Sequence, residues 1–528
     1  MLTSAYGFKG GVSAPHRAAA LAGRDVLAAG GSAVEAMVAA AATIAVAYPH
    51  MNGIGGDGFW IIHRPGAAPV AISGCGRAAE LASVDWYAAQ GASEALPTRG
   101  PLAALTVPGT IAGWQHALAH CPKGNPMPLA DLLAPAIALA REGVAVTENQ
   151  ARTTREKLDG LRDVEGFAQA FLVDGAPPKA GRKLTQSALG ATLEHLSRAG
   201  LDDYYRGDVA QTHGAFLEAA GSPLRLSDFH KFEAEVTIPL TTKLRAGQLF
   251  NMIAPTQGVA SLMILALFDR LGVREAEGFE HLHGLIEATK LAFIRRNAEL
   301  GDPDYMTTPA QDWLAPDALD ALATQINPAR ARAWPEVAKP GDTIWMGAAD
   351  KDGCVVSFIQ SVFWEFGSGL TCGDTGVFFQ NRGAGFSLDE GPNQLRPFAR
   401  PFHTLNPALA HLSDGRVLAY GTMGGEGQPQ TQAAVFSRYA MFGQDLQAAV
   451  SAPRWLLGKT WGDATTSLKL ESRFPPELVA GLRDAGHDVE MIPPYSDMAG
   501  HAGGVALHPD GLIEVAADPR ADGAALGF

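Results

Sequence analysis

A threonine attacks an amide only if something takes its proton, and position 343 offers a way to supply that base. The stretch Pro340-Gly341-Asp342-Thr343-Ile344-Trp345-Met346-Gly347-Ala348-Ala349-Asp350-Lys351-Asp352-Gly353 leads out of a polar, proline-bearing linker (327–342). A strand-like run follows, then a turn, then a second apolar run over 354–362. If the chain were cut before Thr343, the hydroxyl and a new α-amine would share one residue. An α-amine titrates near 8 in model peptides, so it can act as a base close to neutral pH. That is the N-terminal form of an activated nucleophile. Taken alone, the stretch is read better as an ordinary hairpin after a loop, because Asp-Gly turns between apolar runs are common.

Other chemistry-bearing residues are few. His50-Met51-Asn52-Gly53-Ile54-Gly55-Gly56-Asp57-Gly58 is glycine-rich, but it lacks the GxxxxGK[ST] pattern and precedes a strand rather than a helix. Backbone crowding near a site is the better reading. Arg77 follows Gly74-Cys75-Gly76 at the end of a strand-like run, where a surface arginine would ordinarily be expected. Cys75 has no histidine-bearing motif beside it and is not read as a nucleophile. His281 and His283 are two residues apart and point to different faces of a helix, and HExxH is absent, so no metal site is expected.

The elements that must position these residues come from a chain of 528 residues, 47% hydrophobic and 18% charged, with formal net charge −14. That composition is globular. The negative balance argues against nucleic acid and anionic membrane as partners, so an anionic substrate would need local arginines. Four dispersed cysteines (Cys75, Cys121, Cys354, Cys372) without CxxC suggest reduced thiols. Neither a signal-like apolar core nor a bilayer-length run is seen, so a cytoplasmic location is expected.

Residues 16–30 and 32–46 read as Ala-rich helices, the second opened by a Ser32/Glu35 capping box and closed at Pro49. Strands are expected over 59–63 and 70–73. Helices are expected over 128–143, 185–198, 202–220, 227–235, 259–271 and 279–299, with a strand over 240–252. After Thr343 the composition shifts toward short strands (345–348, 355–361, 376–380, 408–412, 417–421), with helices over 431–442 and 446–452.

Gly-Asp-Thr at 341–343, Asp350-Lys351-Asp352-Gly353, Phe366-Gly367-Ser368-Gly369 and Gly424-Gly425, in this order with the run 50–58, resemble the γ-glutamyltranspeptidase-like family of N-terminal-nucleophile hydrolases. The resemblance runs from Gly11-Val12-Ser13-Ala14-Pro15-His16 to Ala517-Asp518-Pro519-Arg520. It implies an α+β fold, a four-layer αββα sandwich. It also implies a precursor that cuts itself between Asp342 and Thr343 into a large (1–342) and a small (343–528) subunit. Thr343 would then be the nucleophile, and Ser361, 18 residues on, the second hydroxyl that orients the freed amine. Gly424 and Gly425 would form the oxyanion hole, and Arg77 would grip a substrate carboxylate.

Departures bear on the substrate. Positions that hold the glutamyl amine in the family's transpeptidases are Phe363 and Gly385 here, a nearby Gln or Glu position is Arg382, and a serine pair is His403-Thr404. Arg382, His403, Thr404 and Phe363 are therefore expected to line a pocket for a small anionic amide without an α-amine. The segment 386–401 is short for the family's lid. These features resemble the oxamate-hydrolysing branch, which acts in purine-ring breakdown. No cofactor and no partner beyond the two subunits is implied, with room for a dimer of such heterodimers. Alternatives stay open: a γ-glutamyl hydrolase or transferase, a cephalosporin-type acylase, or an uncleaved scaffold. Arg382 could pair only with Glu365 or Glu426, His403 could be a core histidine, Phe363 could be packing, and Glu426 could support the glycine loop.

Overall fold

The computed structural model describes residues 3–120, 126–334, 342–458 and 466–528. Cys121 and residues 335–341 of the linker lie outside them. Among the described residues, fourteen strands build two seven-stranded sheets, antiparallel at every pairing. They are β1 (Ala5–Gly7), β2 (Gly10–Ala14), β3 (Asp57–His63), β4 (Val70–Gly74), β5 (Glu235–Thr237), β6 (Leu240–Leu244), β7 (Gly247–Asn251), β8 (Asp342–Asp350), β9 (Val355–Phe363), β10 (Ala408–Leu412), β11 (Val417–Thr422), β12 (Ala502–Leu507), β13 (Ile513–Ala517) and β14 (Ala524–Gly527). The first sheet runs β14-β2-β8-β9-β3-β4-β5 and the second β1-β13-β12-β11-β10-β7-β6.

The sheets stack because their strands are apolar on both faces. Phe59, Ile61, Trp345, Ile359, Leu409, Ala419 and Val505 fill the space between them. Alternate residues of the first sheet, including Trp60, Ile62, Met346 and Phe358, pack beneath helices α1 (Arg17–Ala28), α2 (Ala33–Ala47), α3 (Leu129–Glu142) and α4 (Ser187–Ala199). The outer face of the second sheet, with Leu249, Ala410 and Leu418, packs on α5 (Gly258–Arg270), α6 (Phe279–Glu299) and α7 (Gln428–Phe436). The four-layer αββα sandwich is therefore present, and strands buried on both faces, one toward the other sheet and one toward helices, dictate it. Helix α2 opens on the expected capping box and is buried along its whole length, which its alanines permit.

Local differences from expectation have simple causes. The alternation over 240–252 is two strands, because Arg245-Ala246 turn the chain back on itself. The helix expected over 227–235 is a short one, Leu226–Lys231, and Glu235 already belongs to β5. Helix α7 begins at Gln428 and gives way to a π-helical turn, Ser437–Met441. No described helix is long and apolar enough to cross a membrane.

Both sheets interleave strands from before and after Thr343. If the chain is cut there, neither piece keeps a complete sheet. Cut protein is therefore expected to elute as one species on native size exclusion and to separate only in denaturant; free fragments under native conditions would contradict this.

Five imidazoles buried to differing degrees set an acid limit on stability. Burial lowers His50, His213, His281 and His487 to about 3 and His63 to about 4. An unfolded imidazole titrates near 6.5. Below that pH the unfolded chain binds protons the folded chain refuses, so this contribution is complete above pH ~6.5 and is lost as pH falls toward 3. Asp57, raised by burial to about 7, contributes with the opposite sign. The denaturation midpoint is expected to fall measurably between pH 7.5 and 5, and an unchanged midpoint would contradict the set.

Candidate active site

The β8–β9 hairpin carries Thr343. Strand β9, Val-Val-Ser-Phe-Ile-Gln-Ser-Val-Phe, is rich in β-branched and aromatic residues and wholly buried. Asp350 closes the turn: its Oδ1 accepts the N–H groups of Asp352 and Cys354, both at 3.0 Å, and its Oδ2 accepts that of Ala33 at 2.8 Å. At the other end the register slips by one residue between the pairs Asp342–Phe363 and Ile344–Gln360. Ser361 and Val362 of β9 thus lie opposite the single residue Thr343, a β-bulge of the kind that re-aims a side chain.

Thr343 is fully buried, and Gln428, the first residue of α7, donates from Nε2 to its Oγ1 at 3.4 Å. Ser361 Oγ accepts the Phe363 N–H at 2.8 Å. In the next strand Ser361 pairs with Asp57, and Gly58 pairs with Gly74, which sets Cys75 beside Asp57. One row across the first sheet therefore reads Thr343, Ser361, Asp57, Cys75. The fold brings the two predicted hydroxyls together and adds Asp57, which sequence reasoning passed over.

The glycine pair follows β11. The indole of Trp345, between the sheets, lies so close that a Cβ at Gly421 would sit 2.2 Å from it. Three residues on, Gly424 (φ 121°) and Gly425 (φ 53°) turn the chain into α7 through left-handed conformations. Among the described residues, neither N–H has an acceptor. Unpaired N–H groups at the mouth of a helix form a ready anion-binding site. Behind the loop, Gln257 Nε2 donates to the carbonyls of Gly425 (2.8 Å) and Thr404 (2.9 Å).

Arg382 is fully buried, with its guanidinium 3.9 Å from the centre of the Phe363 ring and Nη1 3.4 Å from Thr404 Oγ1. Among the described residues, its Nε and Nη2 have no hydrogen-bond partner. The acids considered for it are engaged elsewhere: Glu365 with Lys157 at 3.2 Å and Glu426 with Arg296 at 2.5 Å. Burial lowers Arg382 to about 9, which leaves it charged at neutral pH. Buried donors without partners are rare and costly, so this pair of N–H groups is suited to receive an anion. Phe363 has φ 80°, an outlier for a bulky residue, held by the Ser361 hydroxyl and the arginine stack.

His403 is fully buried and donates from Nε2 to Asp57 Oδ2 at 2.9 Å. Burial keeps its imidazole neutral, and it accepts the Leu405 N–H at Nδ1 (3.4 Å). Asp57 Oδ1 accepts from the Gly76 and Gly109 N–H groups, both at 3.1 Å, and from Gln380 at 2.9 Å. Burial raises the carboxyl to about 7, and nearby Arg382 pulls it down. His403 thus supports Asp57, which in turn faces the buried arginine.

Arg77 lies apart from this group. It is one-third exposed, donating to Glu235 (2.6 Å) and to the Phe398 carbonyl (3.1 Å). None of its bonds reaches Thr343, Ser361, Arg382 or Thr404. A cavity of about 360 Å³ opens beside the glycine loop, lined by Arg296, Gly385, Asn393, Phe402 and Glu426.

Two buried triplets bring metal-type donors together, Asp57/Cys75/His403 and His283/Glu287/His487. In the second, His283 Nδ1 and His487 Nε2 share a hydrogen bond at 2.9 Å, and Glu287 accepts from Lys290 Nζ and the Arg332 N–H. His281 instead meets Ser437, so the two helical histidines part as their spacing requires.

Asp57, Gln428, Gln257 and Arg296 were not expected at the site. Only Asp57 carried a signal, as the single acid in a run of glycines entering a strand.

Comparison with known proteins gives a consistent result. The family model described as gamma-glutamyltranspeptidase matches residues 19–528. The chain is 49% identical over 518 residues to the oxamate amidohydrolase proenzyme of Klebsiella pneumoniae subsp. pneumoniae, covering 98% of each. It is 37% identical to the glutathione hydrolase-like YwrD proenzyme of Bacillus subtilis, covering 100% of each. The crystal structure of cephalosporin acylase from Bacillus halodurans superimposes with a TM-score of 0.92 at 29% identity, covering 100% of this chain and 97% of that one.

Proposed function

Given that the chain belongs to the gamma-glutamyltranspeptidase family and is a hydrolase of amide C–N bonds, we propose that it is cut between Asp342 and Thr343 and hydrolyses oxamate to oxalate and ammonia. Residues 1–342 and 343–528 are then the two subunits of one αββα unit. The observation that carries the substrate reading is Arg382, fully buried with two unpartnered N–H groups and stacked on Phe363. The 49% identity to an oxamate amidohydrolase proenzyme supports it.

In this mechanism Thr343 Oγ passes its proton to its own α-amine and attacks the amide carbonyl. Ser361, opposite it at the bulge, orients the amine. The Gly424 and Gly425 N–H groups receive the oxyanion at the start of α7, where preorganised donors are worth about 10²–10³ in rate each. Arg382, with Thr404 beside it, holds the carboxylate; Asp57 and His403 fix the arginine's surroundings. Arg77 would have to leave Glu235 to take part. The protonated amine returns its proton to the leaving nitrogen, ammonia departs, and water activated by the same amine cleaves the acyl-threonine ester. Because that amine must be neutral, kcat/KM is expected to fall as pH drops below ~8.

The superposition with a cephalosporin acylase favours a second reading, a larger acyl amide. Purified protein assayed on oxamate, γ-glutamyl-p-nitroanilide and a glutaryl amide decides between them. Turnover of oxamate with little of the others supports the first reading, and turnover confined to the others overturns it.

A further inference from the structure

Behind the glycine loop, a buried chain of polar contacts joins residues distant in sequence. Gln257 sits in the turn entering α5. Its N–H donates to the His403 carbonyl at 2.9 Å, and the His403 N–H donates to Pro255 at 3.0 Å, so this turn is zipped to the pocket segment. Both protons of its side-chain amide are taken, by the carbonyls of Thr404 and Gly425. Its Oε1 accepts from Arg296 Nη1 at 2.8 Å, and Arg296 Nη2 reaches Glu426 Oε2 at 2.5 Å. Gln257 is wholly buried, and Arg296 and Glu426 are 2% and 5% exposed.

We propose that Gln257 and Arg296 are positioning residues for the oxyanion loop, with Gln257 locking that loop to the Thr404 wall of the pocket. Glycines in left-handed conformations do not fix their own peptide planes. The amide of Gln257 pins the Gly425 carbonyl, and the Arg296–Glu426 pair pins the residue after it. The N–H groups of Gly424 and Gly425 then face the site without reorganising during the reaction. A buried ion pair is weak evidence of added stability, so geometric specification is the role left for it. Neither residue touches the reacting atoms. The proposal rests on the reading of Gly424 and Gly425 as oxyanion donors.

The cavity lined by Arg296 and Glu426 supplies the test, because it admits a small cation to the place an arginine would vacate. Steady-state kinetics are measured with oxamate and with γ-glutamyl-p-nitroanilide, on whichever the unmodified enzyme turns over. Gln257→Met is expected to lower kcat by about 10²-fold with little change in KM, the scale of a misplacement near 1 Å. Arg296→Ala is expected to lose a similar factor and to recover part of it with added guanidinium chloride below denaturing concentration. Arg296→Lys is expected to fall between. Gly425→Ala, measured in parallel, separates the two layers. If it keeps full kcat, the oxyanion reading fails. If it loses kcat while Gln257→Met and Arg296→Ala stay at the unmodified rate, the positioning proposal alone fails. A rise in KM at constant kcat, or no recovery with guanidinium, also overturns it. An unmodified enzyme inert on both substrates overturns the reading and the proposal together.

Discussion

Thr343→Ala is expected to leave the chain uncut and to abolish hydrolysis, a loss on the order of 10⁶-fold, the scale seen when a catalytic nucleophile is removed. In the proposed function one residue carries two duties: its hydroxyl would open the Asp342–Thr343 bond, and the amine so released would become the base for turnover. The bulge at Ser361–Val362 and the Gln428 amide hold the hydroxyl in place, and neither depends on the threonine methyl. Thr343→Ser should therefore still be cut and should keep measurable turnover. Cutting of the alanine variant at the same bond would move the nucleophile elsewhere.

The second large effect is expected at Arg382. On the proposed function, Arg382→Gln would remove two charge-assisted hydrogen bonds to a substrate carboxylate, each worth about 1.5–3 kcal/mol. The expected loss in kcat/KM on oxamate is thus roughly 10²–10⁴-fold. Oxamide, which lacks the carboxylate, should be affected far less, so the ratio of the two rates reads the contact directly. The same change at Arg77 is expected to cost much less, because Arg77 is already committed to Glu235. Equal losses at the two arginines, or a greater loss at Arg77, would place the carboxylate at the edge of β4 instead.

Much of the site was legible because its parts are motifs in a fixed order. The resemblance to the family picked out Thr343, Ser361 and the glycine pair; the fold sets the two hydroxyls across a bulge and, among the described residues, leaves the glycine N–H groups without an acceptor. The αββα sandwich was legible for the same reason, and short apolar strands with Ala-rich helices agree with it. What could not be read were contacts that only folding creates. Nothing near Arg77 in sequence announces Glu235, and nothing near Arg382 announces that Glu365 and Glu426 are taken by Lys157 and Arg296. The Asp57–His403 bond spans 346 positions and the Gln257–Gly425 bond 168, beyond the reach of any local pattern. The alternation through residues 240–252 hid a turn because Arg245 and Ala246 continue the polar–apolar pattern while reversing the chain.

The central claim is that Thr343 becomes an N-terminal nucleophile, and the mass of the purified protein under denaturing conditions tests it most directly. Two fragments meeting at the Asp342–Thr343 bond are predicted, with the smaller gaining the mass of an acyl group when the reaction is quenched with substrate present. A single intact chain that turns over substrate, a boundary at any other bond, or an acyl group on the larger fragment would contradict it.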